Sequence, residues 1–388
     1  MTSRPRVIII GAGFTGCATA HDLALRGCEV VVVDRGDIAS GTSGRTHGLL
    51  HSGGRYCVDD QESAVECLQE NTILRKIAPA CIEPNGGWFI ALNDEDLAYR
   101  SRFLEGAEAC HIPVEEVPVQ KALEMEPALN PEMKAACLVP DGVFEPLRLA
   151  LSFAASARDR GASFRLYCEV EGLCVDGQGN VTGVCLVDHK TGQRQELGGD
   201  MVVNATGAWA GKIAELASLT VPVQATPGVM VAFEQRLINR PVNRLCAPAD
   251  GDIVIPQRRM MVVGTTSFSV EDMDYVPVDE EQVAMMVERG AELVPAINQA
   301  RQRSAYMSSR PLIGSSQEAR SLSRTFECFD HQASEGIGGL VTITGGKATT
   351  CRAMAEQTAD VVCRKLGIAA GCETREIPLA PYRQFYSD

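Results

Sequence analysis

The chain has 388 residues, 45% of them hydrophobic and 22% charged; this is an ordinary globular composition, longer than one core usually supports, so two domains sharing one site are expected. A net charge of −14 with no dense Lys/Arg run argues against nucleic-acid binding. An anionic ligand would therefore need a local basic pocket within an acidic protein.

Val7 to Ile10 reads as a strand, Gly11-Ala12-Gly13-Phe14-Thr15-Gly16 as a glycine turn opening a helix, and Val30 to Val33 as a second strand ending at Asp34. In such a unit Gly11 permits the tight turn, Gly13 lets the backbone approach a pyrophosphate, and Gly16 lets helix and strand pack closely. The helix start presents N–H donors and a positive dipole end to the phosphates. Asp34 stands near the spacing at which a carboxylate accepts from ribose hydroxyls, and an acid there argues against NADP. These residues leave NAD and FAD as alternatives.

Gln61 to Ala78 shows helical periodicity, residues 86–92 read as a strand, and Asp94 to Cys110 as a charged helix. Pro140-Asp141-Gly142 is a turn, followed by a helix over Leu147–Arg160. Ser163–Val170, Glu171–Val175 and Val181–Asp188 read as a meander with turns at Asp176-Gly177 and Lys190-Thr191-Gly192. Met201-Val202-Val203-Asn204 is a near-continuous apolar run ending at the small turn Ala205-Thr206-Gly207, the pattern of a buried parallel strand leading to a ligand. Residues 221–320 alternate in β fashion (Val229–Phe233, Ile253–Ile255, Met260–Thr265) and are expected to form an antiparallel sheet. Gly339 to Thr344 is a strand, Gly345-Gly346-Lys347 a turn, and Ala348 to Lys365 a helix. This late return to a strand–glycine–helix junction suits a long cofactor touched by distant segments.

Fifteen cysteines, an odd number with no C-x-x-C, point to reduced thiols. Cys17, Cys28, Cys168, Cys185 and Cys363 fall on apolar-looking faces, and the spacing suggests neither a zinc nor an iron–sulfur site, so no metal is expected. The apolar run at Val7 is too short for a signal peptide and no stretch approaches a membrane span. The expected location is cytoplasmic, with peripheral attachment at the inner membrane face only through a partner.

Four segments carry a further signal: Gly11–Gly16, His51-Ser52-Gly53-Gly54-Arg55-Tyr56, Ser309-Arg310-Pro311-Leu312, and Ile343-Thr344-Gly345-Gly346-Lys347. With them the sequence resembles, from residue 7 to about 380, the FAD-dependent glycerol-3-phosphate dehydrogenase family, and most of all the flavin subunit of the anaerobic bacterial enzyme. The resemblance implies an α/β fold with a glutathione-reductase-like, FAD-binding Rossmann domain and a second, antiparallel-sheet substrate domain of the D-amino-acid-oxidase type. The boundaries expected are 1–80, 141–215 and 321–388 for the first, and 81–140 and 216–320 for the second. It implies FAD held by Gly11, Gly13, Gly16, Asp34, Arg35, Thr42, Ser43, His47, Gly48, Leu49, Ala205, Thr206, Gly207, Gly345, Gly346, Lys347, Ala348 and Thr349.

Oxidising a secondary alcohol removes a hydroxyl proton and passes a hydride to flavin N5. His51 is the expected proton acceptor, since imidazole titrates near neutral pH; His47 and His331 compete, His21 reads as structural, and His111 and His189 as surface residues. Donors around Gly345-Gly346-Lys347 would stabilise negative charge on the reduced flavin. Arg55, Arg310 and Arg324 match the family's substrate-binding arginines, suited to gripping a phosphate bidentately.

The sequence also departs from that family. Thr226-Pro227-Gly228 lacks its usual lysine, Met307-Ser308-Ser309-Arg310 replaces Ser-Gly-Val-Arg, and Ala348 and Cys351 stand where a larger aliphatic and a tyrosine are common. The implied reaction is oxidation of sn-glycerol 3-phosphate to dihydroxyacetone phosphate, with electrons leaving to a quinone or an electron-accepting partner protein. The alternatives are another polyol phosphate, a 2-hydroxy acid or an amino acid as substrate, a non-catalytic FAD-binding scaffold, and an NAD-linked enzyme.

Overall fold

A computed structural model describes residues 4–387 apart from 269, 271–272, 275 and 315–324. At its centre lies a six-stranded sheet in the order Phe326–Asp330, Leu340–Gly345, Met201–Asn204, Arg6–Ile10, Glu29–Asp34, Ser163–Leu166. All neighbours are parallel except the edge strand Phe326–Asp330. A parallel sheet is covered on both faces, which is why its strands read as apolar runs. Here the side-chain period of two divides one strand between two cores. Val7 and Ile9 face the helices Phe14–Leu25, Pro146–Arg158 and Cys351–Leu366. Ile8 and Ile10 face a three-stranded antiparallel sheet, Cys168–Val175, Val181–Asp188 and Arg194–Gly198. Truncating such a fully buried residue as Ile8 or Ile9 to Ala should cost about 2–5 kcal/mol.

The expected meander is corrected in one place. Ser163–Leu166 leaves it and pairs in parallel with Glu29–Asp34. Tyr167, at φ +60°, then turns the chain, and Cys168–Val175 runs as one strand bulged between Val170 and Gly172. Apolar alternation continues across the turn, so the pattern alone merges the two strands.

The second large sheet has eight strands, in the order Gln302–Ile313, Val223–Phe233, Met260–Gly264, Ile253–Gln257, Val242–Arg244, Gly87–Ala91, Ala135–Val139, Glu115–Val117. Only the contact of Val242–Arg244 with Gly87–Ala91 is parallel among these described pairs. The reading of 221–320 as strands misses a helix, Glu280–Leu293, which lays Met286 and Leu293 on Val231, Phe233 and Val263. Its start was readable: the Asp279 side chain accepts from Glu281 N, and Glu280 and Glu281 favour the positive dipole end.

Between the sheets runs the helix Gln61–Ile77, capped by Asp60 accepting from Ser63 N. Asn71 on this helix donates to the carbonyls of Leu50, His51 and Pro140, and so fastens the loop after strand Leu49–Leu50. Among the described residues, no helix is long and apolar enough to cross a membrane.

Candidate active site

The carboxyl ends of the parallel strands open into a cavity of about 1230 Å³, reaching from Asp34 and Trp209 at one end to His51, Arg310 and Lys347 at the other. It exceeds the roughly 300–1,000 Å³ of ordinary small-molecule pockets, as a dinucleotide with a substrate beside it requires. Strand ends of an open α/β sheet are where ligands bind.

At the first end the turn is built from absent side chains. Gly11 sits at φ +107°, and a Cβ there would lie 2.7 Å from the Ala205 carbonyl oxygen. A Cβ on Gly16 would lie 1.8 Å from the Gly11 carbonyl oxygen, inside the covalent envelope of the turn. Gly13 offers no capping side chain, and the first turn of helix Phe14–Leu25 carries no acid. The dipole end of that helix is thus left to an anionic ligand. Asp34 is oriented by two amides: Oδ2 accepts from Ala12 N at 2.6 Å and Oδ1 from Gly36 N at 2.7 Å. Burial pushes its carboxyl up, against the pull of those amides. Each oxygen retains a lone pair for a ribose hydroxyl. Arg35 lines the cavity but is already engaged, 3.0 Å from Asp274 and 4.8 Å above the Trp209 ring.

The loop over residues 40–49 covers the middle. Ser43 Oγ accepts from Phe14 N, and Thr42 Oγ1 donates to Ser309 O at 2.7 Å, joining the loop to strand Gln302–Ile313. His47 Nδ1 accepts from Leu49 N, which places the proton of a neutral ring on Nε2. Gly16, Gly48 and Thr349, picked out with the cofactor residues, lie behind the wall rather than in it. Gly48 is at φ +82°, where a Cβ would meet Gln257 Nε2 at 1.9 Å; Gln257 bonds the His47 and Phe144 carbonyls there. Thr349 Oγ1 accepts from His51 N at 3.2 Å.

At the far end the buried His51 ring stands 5.2 Å from the Tyr56 ring and 6.3 Å from that of His47. Its loop is held from behind by Asp141, whose Oδ1 accepts from Ser52 N at 2.6 Å. His331 is excluded from this cluster: it is buried against Thr342 Oγ1 at 2.8 Å and Glu335 at 3.2 Å. Burial pushes the His21 ring down to about 4, so it stays neutral in the core. Lys347 follows Gly345 and Gly346, both at positive φ, and its buried ammonium lies 4.0 Å from Glu66 and 5.1 Å above the Tyr56 ring. Burial pushes the Glu66 carboxyl up while Lys347 holds it down. Ala205, Thr206, Gly207 and Ala348 line the wall between. Burial pushes the Cys351 thiol up to about 12, so it lines the cavity as a neutral group.

The three arginines fare differently. Arg310, on strand Gln302–Ile313, reaches the cavity with Nη2 donating to the Thr266 carbonyl at 2.8 Å. Arg55 reaches the cavity with two of its nitrogens already paired to the buried Asp252 through two bonds of 2.8 Å. Arg324 lies outside the described residues. The sequence reading missed Asp252, Glu66 and Asn71: Glu66 and Asn71 reach the site from the helix Gln61–Ile77 and Asp252 from just before strand Ile253–Gln257, and no local motif announces them.

A nucleotide cradle, an oriented acid, and a basic far end with a buried histidine define a flavoprotein of the α/β oxidoreductase class. The chain belongs to the family described as FAD dependent oxidoreductase, which matches residues 6–361. It is 41% identical to one of the subunits of the anaerobic glycerol-3-phosphate dehydrogenase of Escherichia coli, over 96% of this chain and 69% of that one. The counterpart in the Haloferax volcanii enzyme is also 41% identical, over 99% of this chain and 68% of that one. Among solved structures, the Bacillus halodurans glycerol-3-phosphate dehydrogenase complexed with FAD is similar, with TM-score 0.74 and 25% identity over 97% of this chain and 68% of that one. The Mycoplasma pneumoniae L-alpha-glycerophosphate oxidase shares the fold, with TM-score 0.76 at 18% identity over 98% of this chain and all of that one.

Proposed function

We propose that the protein is an FAD-dependent dehydrogenase that oxidises sn-glycerol 3-phosphate to dihydroxyacetone phosphate. The observation that carries this reading is one cavity joining the glycine cradle and Asp34 to a far end holding His51, Lys347 and Arg310. The cradle fits FAD because Cβ atoms would fill it and because the cavity continues well beyond a nucleotide. When bound, FAD accepts the hydride from the carbinol carbon of the substrate.

This chain's residues supply the rest. Arg310 binds the phosphate, its guanidinium oriented by the bond to Thr266 O. Arg55, oriented by Asp252, presents its remaining N–H donors as a secondary contact. The His51 imidazole takes the hydroxyl proton as the hydride leaves, so the alcohol becomes a ketone with both electrons and proton accounted for. Lys347 holds a positive charge where anionic charge develops, and its pairing with Glu66 keeps that charge in place. We assign cofactor binding to segments 1–80, 141–215 and 321–388, and substrate contacts mainly to 81–140 and 216–320. Electrons then pass to a quinone or an accepting partner protein, with the chain working in the cytoplasm or docked at the membrane through that partner. The relatives are themselves named as single subunits of larger enzymes, which supports a partner.

The Arg55–Asp252 pair favours a second reading on the same fold. With Arg55 held by Asp252, the anion contact falls mainly to Arg310, and one arginine also suits the carboxylate of a 2-hydroxy acid or an amino acid. Anaerobic titration of the yellow protein with sn-glycerol 3-phosphate separates the two. Bleaching of the flavin absorbance is expected. No bleaching, in protein that dithionite still reduces, would overturn the substrate and leave the flavoprotein standing.

A further inference from the structure

Away from the cavity, the outer face of the three-stranded sheet carries a row that neither the fold nor the proposed reaction uses. Cys174, Cys185 and Glu196 sit on the three successive strands at a constant spacing of eleven residues. Cys185 and Glu196 are directly opposed in the ladder, and Cys174 lies diagonally from Cys185, which pairs with Gly172. The glycine leaves the space between the thiols open: a Cβ there would touch Cys185 Sγ at 3.8 Å. Their neighbours Leu173, Val184 and Leu197 turn the other way into the core. Cys185 therefore lies on the outer face, in contrast to the apolar packing expected of it. The two sulfurs are 3.6 Å apart, and both lie within 4.8 Å of a carboxylate oxygen of Glu196.

We propose that Cys174, Cys185 and Glu196 form a binding site for a thiophilic divalent cation of the zinc type, with water as fourth ligand. Two thiolates bound tetrahedrally at about 2.3 Å from such an ion stand roughly 3.8 Å apart, close to the separation seen, whereas a disulfide would need about 2.05 Å. Among the described residues this is the one such group of three, and its donors are two soft sulfurs with one hard oxygen, a set that zinc accepts and that magnesium and calcium do not. Glu196 is exposed and both thiols are half-exposed, which gives an ion entry and leaves room for the water. Binding is balanced as M²⁺ plus two thiols giving a dithiolate complex and two protons. The bound ion ties together all three strands of the sheet that backs the parallel sheet at Ile8 and Ile10.

The test is a titration of the reduced, chelator-free holoenzyme with Co²⁺, reading cobalt–thiolate charge-transfer bands and the ligand-field bands on the red side of the flavin absorption. One equivalent should bind, be displaced by Zn²⁺, and shield two thiols from alkylation. Cys174→Ser and Cys185→Ser should each remove the bands, with affinity falling beyond the roughly 10–100-fold carried by outer-shell partners. Glu196→Gln should weaken binding while keeping the thiolate bands, and flavin content reports that each variant is folded. Absence of thiolate bands, bands that persist in both serine variants, or loss of the two thiols to a disulfide with no metal uptake would each overturn the proposal.

Discussion

The two ends of the cavity are built in opposite ways. The nucleotide end is local: Gly11, Gly13, Gly16 and Asp34 lie on one strand–helix–strand unit, and its shape follows from what the glycines omit. The far end is assembled from strands and loops up to about three hundred residues apart, as the His51–Thr349 bond illustrates. Its charges arrive with partners, Arg55 with Asp252 and Lys347 near Glu66. An end made by backbone geometry should fail all at once when crowded. An end made of paired charges should fail in separable ways.

The largest effect is expected from Gly16→Ala. Its methyl group would lie 1.8 Å from the Gly11 carbonyl oxygen, and backbone cannot yield as a side-chain tip does. Overpacking of about 1–3 kcal/mol or more falls on the turn itself. The expected outcome is protein purified without yellow colour; retention of full flavin occupancy would show that the cradle tolerates crowding. At the other end, His51→Gln should keep flavin and substrate binding while kcat falls by about 10²–10⁴, the usual contribution of a general base. A kcat within a few-fold of wild type, read in stopped-flow reduction, would pass the proton role to His47, whose ring lies 6.3 Å away.

The arginines sharpen the contrast within the far end. Arg55→Met leaves the Asp252 carboxylate buried and unpaired, a loss of about 3–5 kcal/mol that should appear chiefly as a lower Tm. Arg310→Met removes a charged donor that lines the cavity, so its main effect should fall on substrate binding. A lost charged contact to substrate of about 1.5–3 kcal/mol then raises KM roughly 10- to 100-fold. If both variants shift KM alike and leave Tm unchanged, the Arg55–Asp252 pair is not the structural clamp described above.

The same division explains which parts could be read from the residues. The strand–glycine–helix unit, the parallel strand ending at Asn204 and the late return at Gly345 are local patterns, and the structure places them side by side. The helix Glu280–Leu293 was hidden because its valines and methionines also suit alternation, and only the acidic start and the Asp279 cap mark it. The pairing of Arg55 with Asp252 spans about two hundred residues and depends on strand order, which no motif encodes. The row Cys174–Cys185–Glu196 escaped for a related reason: metal spacing is sought within a turn, whereas here the period is that of a meander.

The smallest effect tests whether the support behind His51 carries charge. Asp141 is buried, accepts from Ser52 N at 2.6 Å, and has its carboxyl pushed above the ordinary 3.8 by burial, against the pull of Ser52, Arg75 and Asn243. The folded protein thus holds this proton more tightly than the unfolded chain. Its contribution to stability is complete below 3.8 and is lost as pH rises through the raised value. Asp141→Asn keeps an oxygen acceptor for Ser52 but has no proton to lose. The Tm difference between Asp141→Asn and wild type should therefore favour the variant at neutral pH and shrink as pH falls toward the ordinary carboxylate range. Taking the difference cancels the other buried acids, Glu66, Glu70 and Glu126, whose carboxyls are pushed the same way. A difference that instead favours wild type at neutral pH would mean that the Ser52 and Arg75 interactions outweigh burial, and that the His51 loop rests on a charged support like those of Arg55 and Lys347.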